Sequence, residues 1–223
     1  MLHIANVIDQ ATVERIRAVI DQAEWHDGRA TAGHLSAPVK RNAQLPEDSD
    51  AARQVGAIIL AALESNPNFI SAALPAKIVP PLFNRYGVGD AYGPHIDGSV
   101  RPIGGHERVR TDLSATLFLT APDSYDGGEL FIDDHGGVNQ AKFAAGDLIL
   151  YAASSVHHVA PVTRGIRTSA FFWVQSIVRD PIQRHMLFTL DQTIQALSEH
   201  ATDEAVLSLT GHYHNLIRMW GDL

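Results

Sequence analysis

The stretch GDLILYAASSVHHVAPVTRGIRTSAFFWVQSI, residues 146–177, contains three short runs typical of β-strands, separated by turn residues. The runs are DLILY (147–151), HHVAPVT (157–163) and RTSAFFWVQSI (167–177). They are rich in the β-branched and aromatic residues that fit a pleated, half-buried surface. The Gly, Ser and Pro residues around them mark chain reversals. This pattern predicts strands of an antiparallel sheet.

The same pattern of short strand-like runs begins at Lys77, well before the quoted stretch. The earlier runs are KIVPPLFNRY (77–86), AYGPHID (91–97), DLSATLFLT (112–120), GELFID (128–133) and NQAKF (139–143). About eight short strands with turn signals between them indicate a sandwich or a barrel, and a jelly roll has that number of strands.

Helical patterns flank the strand-rich region on both sides. DQATVERIRAVIDQA (9–23) places apolar residues at helical spacing, and Asp48 or Ser49 can cap a helix through DAARQVGAIILAALES (50–65). Residues 25–49 have the composition of a loop with short strands. After residue 180, the segments 182–200 and 203–220 look like two amphipathic helices.

The expected fold is therefore mainly β with flanking helices (α+β). We expect an N-terminal helical and loop region over 1–76, a jelly-roll domain over 77–178 and a C-terminal helical hairpin over 179–223. The chain has 223 residues, which is enough for one sizeable core plus a small appended unit.

Composition narrows the classes of function. A net charge of −8 argues against a nucleic-acid partner. The absence of cysteine excludes disulfides, thiolate metal sites and a cysteine nucleophile. The start MLHIANVIDQ lacks the pattern of a signal peptide, and no apolar run reaches the length of a membrane span. We expect a cytoplasmic protein with no membrane partner.

The heptapeptide YGPHIDG (92–98) holds a histidine and an aspartate two residues apart. Residues i and i+2 of a strand point to one face, so His95 and Asp97 would supply two of the three ligands of a non-haem iron site. A strand-end ion pair is the alternative. The third ligand would come from His157 or His158, and spacing does not choose between them. The number of apolar residues on each strand face slightly favours His158 as the buried histidine.

Arg167 follows the histidine pair at the start of an apolar run. A buried arginine needs an anionic partner, and its planar fork suits a carboxylate. Ser169 shares the strand face of Arg167, and the two would cradle the distal carboxylate of a dicarboxylic acid. The alternative is a surface salt bridge.

Together with NRYGVGDAYGPHID (84–97), GGELFI (127–132) and WHDGRATAG (25–33), the opening stretch resembles the bacterial PKHD-type hydroxylases. These are Fe(II)- and 2-oxoglutarate-dependent dioxygenases related to prolyl and lysyl hydroxylases. The resemblance covers nearly the whole chain and implies a double-stranded β-helix, which is a jelly roll. One departure is Ala160, where the family has threonine.

The resemblance also implies roles for particular residues. The catalytic iron ligands would be His95, Asp97 and His157, and Arg167 would bind 2-oxoglutarate with Ser169. Tyr92 is a candidate hydrogen-bond donor to this cosubstrate. The implied reaction uses O2, hydroxylates a substrate C–H bond and releases succinate and CO2, with L-ascorbate restoring Fe(II).

Two other functions are compatible with the same motifs. One is a non-enzymatic jelly-roll sensor that binds a metal or a dicarboxylate, and the other is a cupin-type dioxygenase without 2-oxoglutarate. A metal sensor needs no cosubstrate arginine, and a cupin-type dioxygenase leaves Arg167 without a role. The substrate stays open among a protein side chain, a free amino acid and an iron-chelating metabolite. The helical tail offers an interface for a homo-oligomer.

Several remaining residues have plainer interpretations. We expect Phe171 and Trp173 in the core, a hairpin turn at 126–129, and solvent exposure of His212 and His214. A basic group after the iron motif predicts a solvated loop, with a substrate lid as the alternative; its members are Arg101, His106, Arg108 and Arg110.

Overall fold

The computed structural model describes residues 1–31, 37–105, 107–134, 136–198 and 203–222. The end of the WHDGRATAG motif and His106 lie outside these ranges. The helices are α1 (Gln10–Ile20), α2 (Asp50–Glu64), α3 (Pro67–Ala73), α4 (Pro181–Ser198) and α5 (Asp203–Trp220). The strands are β1 (Leu2–Ile4), β2 (His26–Asp27), β3 (Lys40–Arg41), β4 (Ala43–Gln44), β5 (Pro75–Ile78), β6 (Leu82–Tyr86), β7 (Ala91–His95), β8 (Val100–Ile103), β9 (Glu107–Arg110), β10 (Leu113–Phe118), β11 (Asp126–Gly127), β12 (Leu130–Asp134), β13 (Gly137–Ala141), β14 (Leu148–Ala152), β15 (His157–Val159), β16 (Val162–Arg164) and β17 (Arg167–Ser176).

Two antiparallel sheets form the framework of the molecule. The large sheet has the order β1-β14-β10-β17-β6-β4-β2, and β5 also pairs with β17. The small sheet has the order β13-β12-β15-β7-β3. Neighbours in space are mostly distant in sequence, as in the double-sheet arrangement of a jelly roll.

Alternation along β17 divides the large sheet into two faces. Ala170, Phe172 and Val174 belong to the hydrophobic core shared with the helices α1 to α3. Arg167 and Ser169 lie on the opposite face because successive side chains of a strand alternate. The sheet therefore buries one face under helices and turns the other toward the small sheet.

The N-terminal helices begin where capping side chains satisfy free backbone N–H groups. Asp9 accepts from Thr12 N at 2.8 Å, and Ser49 accepts from Ala52 N at 3.2 Å. Ser49, not Asp48, is thus the N-cap of α2. The sequence did not predict α3, in which Asn66 is the N-cap and Pro67 occupies the first turn.

The C-terminal helices α4 and α5 pack as a hairpin against α3 and the chain that follows β17. Leu74, Val178 and Leu187 form a small cluster with residues of α5. Arg184 donates to the carbonyl oxygen of Val178 at 2.6 Å, which ties α4 to the chain leaving β17. None of the described helices combines the length and the apolar character that a membrane crossing requires.

Three local expectations were wrong. The 98–110 segment forms a two-stranded ladder, in which Val100 is opposite Arg110, rather than a loop. Asp126 and Gly127 pair with β16 instead of forming a hairpin turn, and Gly127 has a φ of 69°. The run from Lys77 is split into β5 and β6, because Pro80 and Pro81 have no N–H to donate to a ladder.

Candidate active site

A cavity of about 740 Å³ opens between the two sheets. The small sheet contributes His95 and His157 to its lining, and the large sheet contributes Arg167 and Ser114. The deep end around Arg167 is buried, whereas Ile96 near the opening is 57% exposed. The cavity is where a small molecule can reach side chains of both sheets at once.

Three side chains with metal-ligand chemistry converge in this cavity. His95 ends β7 and lies opposite His157 of β15, and Asp97 follows two residues after the end of β7. Each of the three offers one ligand atom, and these atoms lie within 4.8 Å of one another. Two imidazoles and one carboxylate form the donor set of a facial triad.

Backbone carbonyls set the orientation of both imidazoles. His95 Nδ1 donates to the oxygen of Gly93 at 2.9 Å, and His157 Nδ1 donates to the oxygen of Ser155 at 3.0 Å. A carbonyl only accepts, so the proton is on Nδ1 and Nε2 keeps its lone pair. His157 Nε2 lies 3.7 Å from Asp97 Oδ2, toward the centre of the cluster.

Neighbouring side chains also hold Asp97 and His95. Ser114 Oγ on β10 donates to Asp97 Oδ2 at 2.6 Å, which links this carboxylate to the large sheet. The Tyr92 ring stacks on His95 with centroids 3.6 Å apart and planes at 18°. Burial of the ring is the main cause, and the neighbouring His157 the second, that lowers the pKa of His95 to about 4. His95 is therefore neutral near pH 7, which is the form that binds a metal.

His157 and His158 have different surroundings. His157 is buried and faces the cavity, whereas His158 is half-buried and stacks on Phe131 with centroids 4.8 Å apart. The apolar count that favoured His158 as the buried residue was wrong. Two features explain this. The Phe131 ring that packs on His158 comes from β12, which is distant in sequence, and the ladder between β15 and β7 is shifted by a bulge.

Arg167 is a fully buried cation at the deep end of the cavity, 1% exposed. Its Nη1 donates to Ser169 Oγ at 2.8 Å, and Ser169 Oγ donates to Asn84 Oδ1 at 2.6 Å. Its Nε has no hydrogen-bond partner. Among the residues that the structure describes, no carboxylate lies within 4.0 Å of this guanidinium, so the surface salt bridge considered as its alternative is not present.

The residues around Arg167 are rings and amides rather than acids. The guanidinium carbon lies 5.3 Å from the ring centre of Tyr86 and 5.7 Å from that of Phe118. Burial raises the pKa of Tyr86 to about 12, so this phenol stays protonated. A buried cation without an acidic neighbour is a site for an anionic ligand.

Some cavity residues were not recognised in the sequence. Asn84 and Ser114 are polar residues on the inner faces of apolar strands, and that alternation is the signal that could have revealed them. Lys40 lines the cavity from a segment that has the composition of a loop. Trp173 belongs to a buried hydrophobic cluster against which Phe171 packs, as expected, and both residues also line the cavity. His212 and His214 on α5 are exposed, as expected.

Two family models match the chain. The 2OG-Fe(II) oxygenase superfamily matches residues 81–175, and the PKHD-type hydroxylase C-terminal domain matches residues 182–222. A PKHD-type hydroxylase of Burkholderia lata is 57% identical over 225 residues, covering 100% of this chain and 99% of the relative. The family identified from the sequence is thereby confirmed.

Solved structures share the fold at low sequence identity. A Pseudomonas putida prolyl-4-hydroxylase is 21% identical with a TM-score of 0.55, covering 78% of this chain and 91% of that one. HygX from Streptomyces hygroscopicus, solved with nickel, 2-oxoglutarate and hygromycin B, is 14% identical with a TM-score of 0.52, covering 78% and 82%. These likenesses confirm the jelly-roll fold. By its matches over the full length, the chain belongs to the PKHD-type hydroxylases of the 2OG-Fe(II) oxygenase superfamily.

Proposed function

We propose that His95, Asp97 and His157 bind Fe(II) and that Arg167, with Ser169, binds the distal carboxylate of 2-oxoglutarate. The enzyme then hydroxylates a C–H bond of a substrate not yet identified and releases succinate and CO2. One observation carries this proposal: the three-ligand cluster and a buried arginine without an acidic partner line the same cavity.

The donor set fits Fe(II). Two imidazole nitrogens and one carboxylate suit this ion and leave coordination positions free for small ligands. Bound Fe(II), with 2-oxoglutarate and O2, supplies the oxidising chemistry that no side chain of this protein provides.

The chain's own residues position the reactants and keep water away from them. The Gly93 and Ser155 carbonyls hold the two imidazoles, and Ser114 holds the Asp97 carboxylate. Loss of a hydrogen-bond partner of this kind typically lowers metal affinity by about 10- to 100-fold. Ser169 and Asn84 hold the Arg167 fork in one orientation, and the aromatic walls limit access of water.

The alternatives explain less of the cavity. A metal sensor, or a cupin-type dioxygenase that needs no 2-oxoglutarate, gives no reason for a cation 1% exposed beside the metal cluster. The carboxylate-binding role gives Arg167 Nε, which has no partner, an acceptor. Tyr92 stacks on His95, and this contact supports a role in orienting the imidazole. A hydrogen bond from Tyr92 to the cosubstrate is a further part of the proposal.

Other parts of the proposal rest on coarser grounds. Ascorbate as the reductant is supported by the family resemblance. Homo-oligomerisation through the C-terminal helices is supported by exposed apolar side chains such as Leu207 and Met219, which are 72% and 75% exposed. The net charge of −8 and the lack of cysteine support the absence of a nucleic-acid partner and a cytoplasmic location. The domain boundaries after residues 76 and 178 are proposed from the change between helical and strand-like sequence patterns.

Calorimetry of 2-oxoglutarate binding to the Mn(II)-loaded protein tests the central assignment. Arg167→Leu should weaken binding by tens-fold or more, because losing a charged contact in a desolvated site costs roughly 2 to 5 kcal/mol, while metal stoichiometry is kept. Arg164→Leu is the matched control, since Arg164 is exposed and pairs with Asp126. Asp97→Ala should stay folded and lose the metal. Equal 2-oxoglutarate affinity for wild type and Arg167→Leu would refute the cosubstrate role.

A further inference from the structure

Tyr151 is a buried tyrosine of the cavity that the proposed function does not use. It lies on β14 and is 6% exposed. Alternation along this strand puts Leu148 and Leu150 in the core under the helices, whereas Ile149 and Tyr151 belong to the cluster shared with the small sheet. Tyr151 also lines the cavity. A phenol of the large sheet therefore borders the space where a small molecule can bind.

The Tyr151 ring lies beside two of the three residues with metal-ligand chemistry. It meets the His157 ring edge-on, with centroids 5.1 Å apart and planes at 65°. In the ladder between β10 and β14, Tyr151 is directly opposite Ser114, the residue that donates to Asp97. Opposite residues of a ladder point to the same face of the sheet, so Tyr151 and Ser114 both face this end of the cavity.

The hydroxyl of Tyr151 keeps its proton at neutral pH. Burial, followed by the negative charge of Asp97, raises the pKa of Tyr151 well above the usual value of a phenol. A hydrogen bond with Thr116 and the charge of Arg167 act on this pKa in the opposite direction but do not outweigh the burial. Because charge effects weaken with distance, the phenol lies within reach of both Asp97 and Arg167.

The surroundings of the phenol indicate where its hydrogen can go. A tyrosine hydroxyl donates one hydrogen and also accepts. A hydrogen bond that lowers the pKa of a phenol is one that its oxygen accepts, so the contact with Thr116 leaves the Tyr151 hydrogen to another partner. Among the described residues, the hydrogen bond to Asp97 Oδ2 comes from Ser114. An acceptor bound in the cavity is therefore the natural partner of the Tyr151 hydroxyl.

We propose that the Tyr151 hydroxyl donates a hydrogen bond to the 2-oxo-acid end of 2-oxoglutarate. This inference rests on the proposed function, which assigns the distal carboxylate to Arg167 and leaves the 2-oxo-acid end beside His157 and Asp97. The oxygen atoms of a 2-oxo group and a carboxylate accept hydrogen bonds and donate none, so a protonated phenol complements them. Tyr151 thus recognises one end of the cosubstrate, and Arg167 recognises the other.

The competing role for Tyr151 is packing alone, in which the ring supports His157 and the hydroxyl has no ligand. Tyr151→Phe separates the two roles, because it keeps the ring and its contact with His157 and removes only the hydroxyl. A hydrogen bond to a charged acceptor that is lost in a buried site should weaken ligand binding by about tenfold or more. A packing role predicts no such loss.

Calorimetry on Mn(II)-loaded protein with two ligands tests the inference without turnover. 2-Oxoglutarate has both ends, whereas oxalate offers a chelating pair of oxygens and has no distal carboxylate. We expect Tyr151→Phe to weaken the binding of both ligands by about tenfold or more, with Mn(II) affinity unchanged. Arg167→Leu should weaken 2-oxoglutarate alone. The control is Tyr213→Phe, the same change at a half-buried tyrosine of α5 outside the cavity lining, which should alter neither affinity.

Unchanged Mn(II) affinity also shows that Tyr151→Phe is folded around the three-ligand cluster. Equal affinities of wild type and Tyr151→Phe for both ligands would overturn the proposal. So would a loss of Mn(II) affinity, since Tyr151 would then support the cluster itself. Oxalate binding that is absent in wild type, or weakening of 2-oxoglutarate alone, would remove the contact from the 2-oxo-acid end. If Arg167→Leu binds 2-oxoglutarate normally while Tyr151→Phe loses oxalate, the role of Arg167 fails and the Tyr151 contact stands.

Discussion

His157 lies directly opposite His95 across the ladder between β15 and β7, with ring centroids 4.2 Å apart. The neighbouring His158 points away and stacks on Phe131. The two adjacent histidines thus lie on opposite faces of the strand: His157 faces His95 and Asp97, and His158 packs on the outer side of the small sheet.

This difference predicts opposite outcomes for two matched substitutions. His157→Ala should abolish stoichiometric Fe(II) binding and iron-dependent succinate release, because it removes one of three ligands. His158→Ala should keep most of both, since it removes only a stacking contact. Metal analysis of anaerobically loaded protein and a succinate assay with ascorbate check the pair. An inactive His158→Ala beside an active His157→Ala would show that the ligand is the other histidine.

Ser114→Ala tests the contact that links Asp97 to the large sheet. Loss of the 2.6 Å hydrogen bond to Oδ2 should free the carboxylate to rotate and weaken metal binding by about 10- to 100-fold. Titration with Mn(II) followed by calorimetry measures the effect. Ser124→Ala is the control, because its exposed hydroxyl bonds to Ala121 within its own turn. Equal metal affinities for the two variants would mean that Asp97 needs no such support.

Gly128→Ala tests how closely the chain is packed around Arg167. Gly128 has a φ of 67°, and an added Cβ would come within 3.1 Å of Arg167 Cδ and 2.9 Å of Val162 Cγ2. We expect a loss of roughly 1 to 3 kcal/mol of stability and weaker 2-oxoglutarate binding, as the arginine is displaced. Gly136→Ala, where an added Cβ meets nothing within 4 Å, should change neither. Urea unfolding and calorimetry are the measurements; unaltered cosubstrate affinity in Gly128→Ala would contradict the packing argument.

The buried Lys40 predicts a particular dependence of stability on pH. Its pKa is about 8 in the folded protein and 10.5 in the unfolded chain, so between these values the unfolded chain binds more protons. The Lys40 contribution to the free energy of unfolding should therefore rise with pH across this window, by roughly 3 kcal/mol in total. Charges that act on this lysine are those of Arg101, Asp97, Asp27 and Glu47.

The measurement compares wild type with Lys40→Met from pH 7 to pH 10.5. The variant should be the more stable at pH 7, and its advantage should shrink as the pH rises. A stability difference that stays constant across the range would show that the lysine titrates normally.

The parts of the site that follow from local spacing could be predicted from the sequence. The alternation in RTSAFFWVQSI placed Arg167 and Ser169 on one face, and the structure brings them within 2.8 Å. Contacts between distant segments could not be predicted in this way. Asn84 meets Ser169 across 85 residues of sequence, and nothing local to either strand encodes that pairing. The choice between His157 and His158 likewise depends on a bulge in the ladder to β7, which a regular pattern does not reveal.

The loop-like segment before α2 was the least predictable region with a bearing on function. Lys40 is a single buried cation in a sequence rich in small and polar residues, and its place in the cavity lining follows only when β3 pairs with β7 at Tyr92. Arg101 is comparable, because its partners Glu47 and Trp173 come from both sides of it in the chain.

The position of the site between two sheets has a thermodynamic consequence. His95 and His157 belong to the small sheet and Arg167 to the large one, so a ligand bound to both groups would link the two sheets across the interior. A ligand that binds only the folded chain raises the free energy of unfolding by about 2.7 kcal/mol at a hundredfold excess over its dissociation constant. The melting temperature of the metal- and 2-oxoglutarate-loaded protein therefore reports occupancy of the cavity. Candidate substrates can be ranked by this thermal shift before any reaction product is known.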